Sequence, residues 1–144
     1  MKIISTYPAK IKESSGAFEA TAVLYRQAMD YFIGIMLKHW DKQFASLPNI
    51  NVVTRQTELL CWPTSKRPLT QYDFGKSFYK FPSYLRRAAI SEAYGMVSSY
   101  HTRLKQWKAS PQGKEPGLPK VGRTFPAMYR EVMFKNTTDR YTVR

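Results

Sequence analysis

Covalent or metal chemistry in this chain would have to come from His39, His101, Cys61 and the carboxylates Asp30 and Asp41. Their spacing does not assemble them. The histidines are far apart with no ligand pattern beside either, so each reads as a surface or internally satisfied helix histidine. Cys61 is the only cysteine; it has no nucleophile context, and neither a disulfide within the chain nor a zinc site made from this chain alone is expected. Asp30 and Asp41 would lie about 16 Å apart by helical rise, whereas two-metal cleavage needs clustered carboxylates. No Gly-rich phosphate cradle is present. The expectation is a chain without catalytic residues, metal ligands or cofactor.

Charge points to non-covalent work. Lys and Arg number 23 against 10 Asp and Glu, a net charge of +13, which favours a polyanionic partner, nucleic acid before an anionic membrane. Ten of the basic residues fall from Arg103 onward, against Glu115, Glu131 and Asp139. Arg86, Arg87, Lys105, Lys120 and Arg123 are the expected phosphate contacts. Lys76, Tyr79, Lys80 and Tyr84 interleave cations with aromatic rings, a pattern suited to stacking on exposed bases. The run around them, "TQYDFGKSFYKFPSY", suits equally well a loop pinned onto a core.

Two long helices must position these groups. Phe18, Ala22, Tyr25, Met29, Phe32, Met36, Trp40 and Phe44 recur at threes and fours, which predicts a helix over 17–44 with a wide buried stripe. In "FPSYLRRAAISEAYGMVSSYHTRLKQWK", residues 81–108, Pro82 marks a helix start. Leu85, Ala89, Ala93, Met96, Tyr100, Leu104 and Trp107 form the expected buried face. Arg87, Ser91, Tyr94, Ser98, Thr102 and Lys105 form a row opposite it, with Glu92 the only acid in the helix. Residues 49–61 read as either a short helix or a strand. Residues 2–12, "KIISTYPAKIK", read as an edge strand broken by Pro8, and residues 108–124 as a basic Pro/Gly loop. "YREVMFK" and "RYTVR" read as strands around a turn at 136–139. The chain stops in strand-like sequence, which suggests a sheet that another segment completes.

"FPSYLRRAAISEAYGMVSSYHTRLKQW" followed by "GKEPGLPKVGRTFPAMYREVMFKN" resembles the amino-terminal region of TnpB-like proteins, transposon-encoded relatives of the type V CRISPR nucleases. The resemblance implies an α+β fold: two long helices with a loop region, inserted into a small, partly incomplete antiparallel β-barrel-like sheet. Residues 1–13 would be a first wedge strand, 14–110 a helical recognition lobe, and 111–144 the basic loop and returning wedge strands. The family's nuclease domain, with its divalent metal, lies downstream and has no counterpart here. The implied partners are guide RNA, target DNA and the remainder of a parent protein, in a prokaryotic cytoplasm at the nucleoid. In such systems base pairing reads sequence while protein reads shape and a flanking motif.

Two other readings stand beside this one. The chain could be a stand-alone basic DNA- or RNA-binding protein, or an interaction module that docks on an acidic partner. No segment carries an apolar run long enough to span a bilayer, no signal-peptide run opens the chain, and a lone cysteine suits a reducing compartment.

Overall fold

Phe18 to Phe44 keep the helical period read from the sequence, but two kinds of helix share the segment. The computed structural model describes residues 16–126 and, as backbone, the two short strands 134–137 and 140–143. Helix α1 spans Ala17–His39, and a π-helical turn, Trp40–Phe44, continues it. In that turn the Ala45 amide donates to the Trp40 carbonyl five residues back, at 2.9 Å. The stripe from Ala22 to Phe44 is buried as expected, and Phe18 is half-buried.

Helix α2, Ile50–Cys61, resolves the open choice at 49–61 in favour of helix. The Asn49 side chain caps it by accepting from the Val52 amide at 3.1 Å, a contact typically worth about 1 kcal/mol. Val53, Thr57 and Cys61 form its buried face at a spacing of four. A short helix α3, Phe74–Ser77, is capped by Asp73 on the Lys76 amide at 3.0 Å. Phe74 anchors it in the core, stacked on Phe32 (5.0 Å between centroids) and on Phe78 (4.7 Å), with Phe81 edge-on at 5.6 Å. The aromatic run is therefore mostly core packing. Tyr79 is the exception, 81% exposed.

Helix α4, Ser83–Ala109, packs on both α1 and α2. Its buried residues are Leu85, Arg86, Ala89, Ile90, Ala93 and Val97. The expected stripe is thus correct as far as Ala93; beyond Val97, Tyr100, Leu104 and Trp107 are only half-buried. The distal third of α4 runs past the core.

The barrel-like sheet is not there. The described residues are mainly helical, and their only sheet is a two-stranded antiparallel hairpin, β1 (Phe134–Thr137) with β2 (Arg140–Val143), in register Phe134↔Val143 to Thr137↔Arg140. This corrects the α+β, barrel-like expectation. The physical reason lies in residues 110–126, which carry Pro111, Pro116, Pro119 and Pro126 among glycines. Proline offers no amide to a ladder, so the segment crosses the helices as irregular chain. The expected first strand, 1–13, lies outside the described residues. Among the described residues, no helix is long and apolar enough to cross a membrane.

Candidate nucleic-acid interface

The basic loop is held against the helices at both ends. Near its start, the Trp107 indole N–H donates to the Gly113 carbonyl at 3.4 Å. Near its end, Arg26 Nε of α1 donates to the Thr124 carbonyl at 2.9 Å, and its guanidinium covers the Phe125 ring at 5.0 Å. Val121, between these ties, packs against the core. The strap so formed lies along the distal part of α4 and leaves an open groove of about 590 Å³ between them.

On α4 the groove is lined by Glu92, Gly95, Met96, Ser99 and Arg103, residues at helical spacing and so on one face. The strap contributes Gly117, Leu118, Pro119, Lys120 and Thr124. Arg103 folds back along its helix, as helical side chains do, and Nε donates to the Ser99 carbonyl at 3.4 Å. Lys120 is exposed, and neither cation has a carboxylate partner. At the other end of the groove Glu92 accepts from the buried Tyr25 hydroxyl at 2.8 Å.

Among the described residues, Glu58 is the only acid in ion pairs. It meets Arg86 at 3.0 Å and Arg87 at 3.7 Å. Arg86 was expected to meet phosphate; instead it faces the interior, 9% exposed, with its guanidinium 4.0 Å from the Trp62 ring centroid. Arg87 keeps a side chain 61% exposed. Lys76, Lys80, Tyr79 and Tyr84 are exposed around the start of α4, and Lys80 takes a left-handed φ of 56°. Lys105, Lys120 and Arg123 are exposed on the distal half and the strap. Arg87 and Lys105 share one row, about 27 Å apart by helical rise. The expected contacts thus form two groups at opposite ends of α4, not one patch.

Arg103 and the small residues Gly95 and Ser99 were not singled out from the sequence, although the spacing Glu92, Gly95, Ser99, Arg103 is itself a helical face. What the sequence could not show is that Arg26 brings residue 124 back onto that face.

The residues with chemical potential stay apart. His39 Nε2 lies 2.8 Å from the Tyr72 hydroxyl. His101 stacks flat on Trp40 at 4.6 Å, with its Nε2 buried and unpartnered; burial lowers its pKa, against an opposing pull from Asp41. Cys61 is buried, and desolvation pushes its thiol up to about 12. The described residues contain no group of three His, Cys, Asp or Glu side chains able to hold a metal.

The family profile of Aq_aa04 matches residues 5–144. The chain belongs to the Aq_aa04 family. A relative within reach of sequence comparison, "Uncharacterized protein aq_aa04" of Aquifex aeolicus (strain VF5), is 27% identical over 126 residues, 81% of this chain and 70% of the relative. No solved structure matches. The Aq_aa04 match runs through both ends of α4 and the strap, so the groove lies wholly within the shared region.

Proposed function

We propose that this chain is a nucleic-acid-binding module that grips a sugar-phosphate backbone along the distal half of α4 and the strap. The observation that carries the reading is the groove itself. Arg103 and Lys120 converge on it without a carboxylate partner, and exposed Lys105, Lys108, Lys114 and Arg123 lie around it in the chain. Cations left unpaired by their own protein release counterions when they meet phosphates. Such contacts position a strand without reading its sequence. Tyr79 and Lys80, at the opposite end of α4, form a second, smaller contact point, with Lys80 Nζ 5.3 Å from the Tyr79 ring centroid.

A narrower form of this reading makes the chain the nucleic-acid-gripping amino-terminal portion of a TnpB-like RNA-guided DNA endonuclease, with guide RNA and target DNA as ligands. Its support is the order helices, basic Pro/Gly segment, antiparallel strands. A barrel is no longer part of it.

The test is fluorescence anisotropy with single-stranded DNA, duplex DNA and RNA–DNA heteroduplex between about 50 and 200 mM salt. If six or more phosphates are neutralised, affinity falls by roughly a thousandfold across that range. Replacing Arg103 or Lys120 with Ala lowers the salt slope by about 1 each. Tighter binding to heteroduplex than to either DNA supports the narrower form. Absence of binding at low salt, with capture of an acidic protein instead, overturns the reading in favour of a protein-docking module.

A further inference from the structure

From the groove we infer that the site takes a single unpaired nucleobase, and that it prefers bases carrying an exocyclic amine to thymine or uracil. This rests on the nucleic-acid reading above and adds what the groove selects.

The groove is electrostatically two-ended. Arg103 and Lys120 make one end cationic, while Glu92 puts a carboxylate at the other. The Arg103 guanidinium is drawn back to the level of Ser99, and Ser99 lies two helical turns, about 10 Å, from Glu92 on the same face. That is a separation suited to a phosphate at one end and the base of the same nucleotide at the other. A phosphate at Glu92 would meet like charge. A base amine would meet an acceptor, as carboxylates accept from the cytosine amine. Tyr25 donates to Oε1 of Glu92 and fixes the carboxylate in place, which leaves lone pairs for a ligand. Thymine and uracil flank their single N–H with two carbonyl oxygens, which face the carboxylate unfavourably.

The floor fits a flat ring. Gly95 lies on it, and a Cβ placed there would meet no atom within 4 Å. Gly34 in α1 is equally open, so openness alone does not mark a site; at Gly95 it coincides with the groove. Met96 and Leu118 supply apolar contact, and Leu118 is 61% exposed. A base inside a duplex cannot enter without leaving its stack, so single strands, loops or flipped nucleotides are the ligands.

The experiment compares oligo-dC, oligo-dA and oligo-dT of equal length, hence equal charge, on the full chain. Oligo-dC and oligo-dA are expected to bind roughly fivefold or more tightly than oligo-dT. Glu92→Gln, which keeps the oxygen that Tyr25 needs, is expected to erase that preference with the salt slope unchanged. Gly95→Trp fills the floor and is expected to weaken all three while leaving the melting transition in place. Equal affinity for the three oligomers, or an unchanged preference in Glu92→Gln, overturns the inference and leaves backbone binding standing. No binding to any oligomer at low salt overturns the backbone reading itself.

Discussion

The Arg86 guanidinium sits between the Trp62 ring, 4.0 Å away, and the Glu58 carboxylate, at 3.0 Å. Both partners come from α2 and its C-cap, so this one side chain ties α4 to α2 through a stack and an ion pair. The planar guanidinium does what a lysine ammonium would not, because it can lie flat on indole while donating at its edge. Arg67 supports the same corner by donating to the Trp62 carbonyl at 3.0 Å.

Arg86→Ala is expected to cost about 2–4 kcal/mol, since it leaves Glu58 without its close partner and opens space beside Trp62. Arg86→Lys recovers only part of this. Urea denaturation reads the loss. Nucleic-acid affinity measured on the folded variant is expected to stay within twofold of the parent, which would be a poor result for a phosphate-binding arginine.

Gly95→Ala is expected to raise stability by about 0.5–1 kcal/mol. A helix-interior glycine carries that much conformational cost, and the added methyl meets nothing. A lower midpoint in urea would show that the helix needs glycine there for a reason the packing does not reveal.

Lys80 holds a left-handed backbone, φ 56°, between exposed Tyr79 and buried Phe81. Lys80→Gly relieves that conformation and is expected to stabilise the fold by about 1 kcal/mol. The same change removes a cation from the lesser contact point. Melting temperature and oligonucleotide affinity should therefore move in opposite directions, the first up and the second down.

Cys61 gives an alkaline signature. Its folded pKa of about 12 lies above the ordinary thiol value. At pH 9–12 the unfolded chain has lost this proton while the folded one keeps it, so stability falls as pH rises, by about 1.4 kcal/mol per unit at most. Below pH 8 the contribution is intact. Alkylation checks the same point: the folded chain at pH 8 should resist iodoacetamide, and the urea-unfolded chain should react within minutes.

Local patterns were legible and long-range ones were not. The buried stripe of α1 followed from period alone, because Ala22 to Phe44 all face one core. Residues 50–61 stayed ambiguous because β-branched Val52, Val53 and Thr54 suit a strand as well; Asn49, the residue that caps the helix, was the available signal. Arg86 and Arg87 look alike as neighbours in sequence. Only α2, arriving from 28 residues upstream with Glu58, turns one inward and leaves the other out. The groove depends on a contact between residues 98 apart, Arg26 and Thr124, which no periodicity announces. The aromatic run at 72–84 was divisible only once Phe74 had neighbours to stack on.

The turn from Trp40 to Phe44 spends one residue more per circuit than the helix before it. A shortened relative, with one position deleted there, would regain ordinary winding at once. It would also rotate everything downstream by about 100°, carrying Asn49 and the whole of α2 out of alignment with Arg86. The length of this segment is therefore a quantity the molecule cannot trade, and insertions or deletions among homologues should fall elsewhere.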